Sequence, residues 1–212
     1  MYISNKNLKM KNKVTRDGIS KGNKKMVEGF LIWSLPSRIT CPNRTDMCSK
    51  YCYAKKAEHL YPQTLPSRMT NFDDTKKETF VTDMIAKIGE YFTPRKRVQY
   101  PYFRIHESGD FYNEEYFEKW LQIITAFPNI KFLAFTKSKF VQYYVDKLPV
   151  NFHLYYSVMA DTKKEDIVWD LPMAFAGDYK HILDKDVFEC KGNCDNCLHC
   201  FNKRMDVHFK IH

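Results

Sequence analysis

The stretch YFRIHESGDFYNEEYFEKWLQII, residues 102–124, decides the fold. A short apolar strand, Tyr102–His106, leads through a Ser-Gly-Asp loop into an amphipathic helix. The apolar side chains of that helix recur every three or four positions, at Tyr116, Phe117, Trp120, Leu121 and Ile124. The same succession returns downstream, with strands predicted at 130–135, 152–159 and 172–176 and a helix at 141–148. Strands that alternate with helices indicate parallel β-α-β units.

Elements on either side of these units extend the pattern. An apolar run at 29–35, ended by Pro36, predicts a buried strand. A helix is predicted over 72–92, with Asp73 or Asp74 as its cap, and a last short strand over 207–211. The resulting five or six strands are fewer than the eight of a complete barrel. The sequence therefore predicts an α/β fold, either a partial (β/α) barrel or an open, mainly parallel sheet, whose strand-following loops share one rim.

Composition bounds the class of protein and its compartment. Of the 212 residues, 44% are hydrophobic and 16% aromatic, which rules out a mainly disordered chain. No apolar run is long enough to cross a membrane, and none follows the N-terminal lysines as it would in a signal peptide. We therefore expect a cytoplasmic protein without a membrane partner, in which cysteines stay reduced.

The charge is unevenly distributed along the chain. Residues 1–25 hold eight Lys or Arg residues and one acidic residue, so they supply +7 of the net charge of +9. We expect a basic flexible arm over 1–27, a partial (β/α) barrel over 28–180, and a cysteine-rich segment over 181–212 that packs on the barrel. The arm either contacts nucleic acid through phosphate groups or is simply solvated.

All seven cysteines fall into two groups, and none lies in an apolar strand or helix face. The first group, in the loop after the first strand, consists of Cys41, Cys48 and Cys52. The second, near the C-terminus, consists of Cys190, Cys194, Cys197 and Cys200. Because four thiols in one tight run are closer to ferredoxin-type ligation than to paired zinc knuckles, the second group favours a [4Fe–4S] cluster. Zinc is the alternative, and an unmetallated segment remains open.

The first group supplies only three ligands. Three cysteines leave one metal position open, which suits chemistry. The other interpretation is a closed structural site whose fourth ligand is remote, either His59 or a C-terminal cysteine.

Polar residues directly after two strands are candidates for the same rim. Glu107 and Asp110, which bracket Ser108 and Gly109, can bind the amine of a cofactor or act as a general base. Asp110 is also a candidate helix N-cap, in competition with Asn113. His106 is interpreted as a core histidine. Lys137 is interpreted as a solvated lysine, with carboxylate or phosphate binding as the alternative.

Four stretches together resemble a known family. They are 40–54 (TCPNRTDMCSKYCYA), 104–111 (RIHESGDF), 135–138 (FTKS) and the terminal cysteine run. These motifs resemble the phage and plasmid proteins called the gene product eighty-eight family, over roughly residues 28–212. The arrangement is similar, more distantly, to the radical S-adenosylmethionine superfamily, although the usual C-x3-C-x2-C spacing occurs here only in the second group.

The distant resemblance implies an activity. It implies a [4Fe–4S] cluster on Cys41, Cys48 and Cys52, S-adenosylmethionine contacted by residues 107–110, and hydrogen abstraction from a substrate that the sequence does not identify. A second, auxiliary cluster would then occupy the C-terminal cysteines. The competing class is a non-enzymatic module, stapled by zinc or iron–sulfur, that binds nucleic acid or a host protein.

Overall fold

Residues 18–23, 26–92, 101–194 and 197–211 are described by the computed structural model of the chain. Their elements in chain order are β1 (Ser20–Asn23), β2 (Met26–Trp33), α1 (Asp46–Lys50), α2 (Tyr53–Leu60), α3 (Thr64–Thr75), α4 (Phe80–Tyr91), β3 (Tyr102–Ile105), α5 (Glu114–Thr125), β4 (Lys131–Thr136), β5 (Phe152–Met159), β6 (Met173–Ala176), β7 (Phe188–Glu189), α6 (His199–Asn202) and β8 (Val207–Phe209). Two 3₁₀ helices, Lys139–Lys147 and Lys164–Asp166, follow β4 and β5.

The strands form one mostly parallel sheet in the order β1-β2-β3-β4-β5-β6-β8-β7. Strand β1 runs antiparallel to β2, and every other neighbouring pair is parallel. From β2 to β6 each strand lies beside the next one in sequence, so the sheet winds in one direction without a reversal. The expectation of an α/β fold with an open, mainly parallel sheet is confirmed. The count of eight strands in the described residues exceeds the five or six predicted.

Helices α4 and α5 cover one face of this sheet. Alternate residues of the strands, among them Phe103, Phe132 and Leu154, join the main hydrophobic core. Helix α5 adds Tyr116, Phe117, Trp120, Ile123 and Ile124, and helix α4 adds Phe80, Met84 and Ile88. These are the apolar positions at helical spacing, and their burial is what holds both helices on the sheet.

The C-terminal segment covers the opposite face. There the intervening strand residues, such as Phe30, Ile32 and Leu133, form a second apolar cluster with Phe201 of α6. The ring of Phe201 lies 5.6 Å from that of Phe30 and 4.8 Å from that of Tyr102, measured between centroids. A parallel sheet is normally buried on both sides. Here the cysteine-rich segment supplies the second cover.

Three local predictions differ from the structure. The helix predicted over 72–92 is two helices, α3 and α4, and Thr79 rather than Asp73 or Asp74 is the N-cap of α4. The polar run 76–79 has no apolar side chain to bury, so the chain turns there and Phe80 packs against Trp33 with a ring distance of 5.9 Å. The helix predicted at 141–148 winds as a 3₁₀ helix, the tighter form common in short connections.

Part of the N-terminal segment that was predicted to be a flexible arm forms β-structure. Strands β1 and the start of β2 lie within the range expected to be a basic arm, and they pair through Ser20 and Ile32. Residues 1–17, which carry most of the arm's charge, lie outside the described residues. None of the helices in the described ranges combines the length and apolarity that a membrane crossing requires.

Candidate metal centre at the carboxyl ends of the strands

Short turns fix each cysteine of the first group. The Cys41 amide donates to the carbonyl of Arg38, a non-glycine residue with a left-handed φ of 66°. Thr45 caps α1 by accepting a hydrogen bond from the Cys48 amide at 3.1 Å. Cys52 is the N-cap of α2, and its Sγ accepts from the Lys55 amide at 3.4 Å. The loop between β2 and α2 is therefore ordered by contacts at the cysteines themselves.

The three thiols interact with one another and with an acidic group. Burial raises the pKa of the Cys41 thiol to about 12, and the neighbouring Asp110 carboxylate, Cys48 and Cys52 add to the rise. Burial also raises the pKa of Cys48, while the ammonium of Lys137 opposes that rise. The spacing of the sequence has thus brought the thiols close enough for their charges to act on each other.

The loop after β3 packs directly beneath the first cysteine group. Gly109 has a φ of 90°, and a Cβ built there would lie 2.6 Å from Leu35 Cβ and 2.7 Å from Thr40 Oγ1. The Asp110 amide donates to the Thr40 carbonyl at 3.1 Å, and the Leu35 amide donates to the Ser108 carbonyl at 2.8 Å. Glycine is required here because the backbone approaches closely in a left-handed conformation. The two motifs singled out from the sequence are therefore in direct contact.

Asp110 is a buried connector between strand ends. Its Oδ1 accepts from Thr136 Oγ1 at 2.6 Å and from the Phe111 amide at 2.7 Å, and its Oδ2 accepts from the Lys137 amide at 2.8 Å. Burial raises its pKa to about 6 although these donors oppose the rise. Asn113, not Asp110, caps α5 through the Tyr116 amide. The Asp110 carboxylate thus ties β3 to β4 under the cysteine loop.

The other residues of this loop play different parts. Ser108 is buried, and its Oγ has no hydrogen-bond partner in the described part of the chain. The Glu107 carbonyl accepts a short hydrogen bond from the hydroxyl of Tyr53. His106 is buried with a φ of 64°, and its Nε2 lies 2.9 Å from the Tyr116 hydroxyl. Burial lowers its pKa to about 3, so it is a neutral core histidine, as predicted.

Lys137 is buried, and not solvated as the sequence suggested. It is only 8% exposed, and its Nζ donates to the carbonyl and the Oγ of Ser157 at 2.8 Å each. The interpretation is wrong because the lysine follows an interior strand whose neighbour, β5, offers two acceptors. Burial lowers the pKa of its ammonium, and Cys48 and Asp110 oppose that shift.

A cleft of about 440 Å³ opens beside Lys137. Its walls come from the first cysteine loop and from the segments after β4 and β5, including Arg44, Asp46, Lys137 and Asp161. Asp161 Oδ2 accepts from the Met47 amide at 2.8 Å, which pins helix α1 to the segment after β5. The volume is in the range of small-molecule sites.

The second cysteine group lies on the sheet face covered by the C-terminal segment. The Cys190 amide donates to His208 of β8 at 2.8 Å, and Leu198 has a left-handed φ of 50°. Three members, Cys190, Cys194 and Cys200, pack against the second apolar cluster, whereas Cys197 is exposed. Burial raises the pKa of Cys200 to about 12, and Cys190, Cys194 and Cys197 add to the rise while Arg104 opposes it.

No disulfide joins any two of the seven cysteines. Within the described ranges no three His, Cys, Asp or Glu side chains converge as a metal site, so metal binding is not confirmed and remains a prediction. His59 belongs to no such group within those ranges either. The donor chemistry nevertheless fits, because each group supplies three or four free thiols, and thiolates are ligands that zinc and iron–sulfur centres prefer.

Sequence reasoning missed Arg104, whose charge acts on Cys200 of the second group and on Tyr53, the residue after Cys52. The only signal was a basic residue at an inner position of a short strand, and in a sheet buried on both faces such a residue needs a specific partner. It also missed Tyr53, which follows Cys52 and contacts Glu107. Neither contact can be read from local spacing, because each joins segments far apart in the chain.

The chain is similar to proteins of mycobacterial phages. It is 27% identical over 199 residues to the Gene 88 protein of Mycobacterium phage D29, with 80% of this chain and 81% of that protein covered. It is 30% identical over 129 residues to the Gene 88 protein of Mycobacterium phage L5, covering 58% of this chain and 53% of that protein. No solved structure matches. The family model described as Gene product 88 matches residues 4–203, and the chain therefore belongs to the gene product 88 family.

Proposed function

We propose that the chain is an iron–sulfur protein of phage type, acting in the cytoplasm of the host cell, with radical S-adenosylmethionine-like chemistry at its first cysteine group. One observation carries the proposal. Cys41, Cys48 and Cys52 lie in the loop after β2, near the buried Asp110 carboxylate and the buried Lys137 ammonium, and residues 43–46 of that loop line an open cleft. A reactive site in an open α/β sheet is expected at this rim.

When bound, a four-iron cluster with one open iron would supply one-electron reduction and a position for the amino and carboxylate groups of S-adenosylmethionine. The protein's own residues would hold that site. Cys41, Cys48 and Cys52 are the ligands. Asp110 fixes the loop beneath Cys41, and the ammonium of Lys137 favours the thiolate of Cys48.

The residues of the loop at 107–110 have different proposed roles. The Asp110 carboxylate accepts three hydrogen bonds from the chain, and Glu107 and Asp110 are the two carboxylates of this loop proposed to receive a cofactor amine. Ser108 Oγ, buried without a partner, is a further donor or acceptor beneath the site. Gly109 lets the loop approach the cysteine segment. The second group, Cys190, Cys194, Cys197 and Cys200, would hold an auxiliary centre.

S-adenosylmethionine binding and cleavage test this assignment. Anaerobically reconstituted, dithionite-reduced protein is expected to bind S-adenosylmethionine and to release 5′-deoxyadenosine. Cys48→Ser should lose both properties. Cys194→Ser, the matched change in the other group, should keep binding at the first site. If cluster-replete protein binds no S-adenosylmethionine and yields no 5′-deoxyadenosine, the enzymatic proposal fails.

A metal-stapled module is the second candidate. It is favoured by the way Cys190, Cys194 and Cys200 pack against an apolar cluster that closes the sheet, since a zinc ion there would stabilise the fold directly. The basic segment 1–25 would then contact nucleic acid. Stoichiometric zinc in colourless protein, with duplex DNA binding that weakens steeply as salt rises, would favour this candidate.

A further inference from the structure

Arg104 is a partly buried cation on the sheet face that the C-terminal cysteines cover. It lies on β3 in register with Ile32 of β2 and Leu133 of β4, which are 0% and 2% exposed. Its neighbours Phe103 and Ile105 point to the helix-covered face, where they join the main core. The guanidinium therefore rises from an apolar floor toward the cysteine-rich segment, and its carbon lies 5.5 Å from the ring centre of Phe135.

The guanidinium is incompletely satisfied. Its Nε is buried and has no hydrogen-bond partner in the described ranges. Burial acts to lower its pKa, but Tyr53, Glu107, Cys194 and Cys200 raise it above the ordinary value, so the group stays charged. A charge held partly out of water is stabilised by anions that face it. Glu107 is one such anion, and Cys194 and Cys200 become further ones when their thiols ionise.

We infer that Arg104 is the counterion of an anionic metal–thiolate centre held by the four C-terminal cysteines. Four thiolates around a dication, whether Zn²⁺ or a [4Fe–4S]²⁺ core, carry an excess of negative charge. The facing guanidinium neutralises part of it and offers its unused Nε donor to sulfur. Arg104 is thus a positioning residue that acts through charge. The inference rests on the metal centre of the proposed function, and adds the residue that tunes it.

The charged groups around Arg104 define the competing explanation. Glu107 faces the same guanidinium, so a structural pair between Arg104 and Glu107 is the alternative role. In that case removal of either partner would perturb the fold equally, and metal affinity at the four cysteines would not depend specifically on Arg104. Lys191 provides a matched comparison, because it adjoins Cys190 in sequence but is exposed. Its charge is screened by solvent.

The test uses full-length protein in which Cys41, Cys48 and Cys52 are replaced by Ser, so that bound metal reports on the second group. Zinc affinity is measured by competition with a chromophoric chelator, together with the rise in Tm that zinc produces. Arg104→Gln is expected to weaken zinc binding about tenfold and to reduce the zinc-dependent rise in Tm. Arg104→Lys should recover part of the affinity, and Lys191→Gln should bind like the parent.

An iron-loaded sample gives an independent readout. Removing the cation should make reduction of the centre about tenfold less favourable, which is a shift of about 59 mV toward negative potential for one electron. If the zinc affinity and the reduction potential of Arg104→Gln equal those of the parent, the role of Arg104 is overturned while the metal centre stands. An equal loss in Glu107→Gln would assign the effect to the structural pair. A parent protein that binds no metal would overturn both the centre and its counterion.

Discussion

Replacement of Gly109 by alanine tests the contact between the loop after β3 and the first cysteine group. Gly109 has a φ of 90°, which L-residues rarely adopt. The added methyl group would meet Leu35 Cβ at 2.6 Å and Thr40 Oγ1 at 2.7 Å. Leu35 Cα, a backbone atom, lies at 3.3 Å, so the obstacle is not merely a flexible side-chain end.

Two costs add for this substitution. The left-handed backbone costs about 1–2 kcal/mol for a residue with a Cβ. Forcing a methyl group into an occupied space costs about 1–3 kcal/mol more. The reduced freedom of the unfolded chain returns about 0.4–1 kcal/mol. Gly109→Ala should therefore lower the free energy of unfolding by roughly 3 kcal/mol in total.

Alanine substitutions at two other glycines allow the backbone cost and the steric cost to be measured separately. Gly192 has a φ of 75° with no atom within 4 Å of the built Cβ, so Gly192→Ala meets the backbone cost alone. Gly89 lies in α4 with open space around it, and Gly89→Ala should stabilise the helix by about 0.5–1 kcal/mol. Gly109→Ala should thus be less stable than Gly192→Ala by roughly 2 kcal/mol, the part assigned to the clash.

The free energy of unfolding of each variant is measured by urea unfolding followed by tryptophan fluorescence, since Trp33 and Trp120 are fully buried. Alkylation of Cys41, which follows Thr40, should also be faster in Gly109→Ala than in Gly192→Ala. If Gly109→Ala and Gly192→Ala lose the same stability and Cys41 reacts at the parent rate in both, the close packing of the two motifs is refuted.

Three further changes probe the site and its supports. Asp110→Asn should lower the free energy of unfolding by about 2 kcal/mol, because an amide cannot accept from all three donors that the carboxylate serves, and the exposed Asp184→Asn serves as control for urea unfolding. His106→Asn should flatten the acid dependence of stability. The unfolded chain takes up a proton at His106 near pH 6.5 and the folded chain only near pH 3, so His106 contributes a loss of about 1.4 kcal/mol per pH unit across that window as pH falls. An unchanged slope between about pH 6.5 and about pH 4.5 would refute this. Cys48→Ser should abolish the first centre and leave the sheet folded, whereas Cys194→Ser should destabilise the C-terminal cover, and equal unfolding of both would indicate two structural sites.

The main architecture could be read from the sequence because its signals are local. The β-α unit at 102–124 and the strand at 130–135 follow hydrophobic periodicity, and both are present as expected. Periodicity also suggested one helix over 72–92, where polar residues 76–79 in fact separate two. Strand β1 could not be found this way, since Ser20–Asn23 carries no apolar alternation and is defined by pairing with β2.

The sequence predicts which loops form the site but not which side chains contact one another within it. Parallel strands place their carboxyl ends together, which correctly predicted that the first cysteine loop and residues 107–110 meet. The burial of Lys137 and the position of Arg104 depend on which strands become neighbours and what covers the second face. Composition assigns both residues to the surface, and only tertiary packing corrects that assignment.

Iron and acid-labile sulfide per chain, measured on anaerobically reconstituted protein, test the cluster assignment most directly. Two four-iron centres require roughly eight irons and as much sulfide per chain, and they colour the protein brown. The double variant that carries both Cys48→Ser and Cys194→Ser should lose this colour. Colourless protein that holds only zinc, or no metal, at these seven cysteines would contradict the assignment.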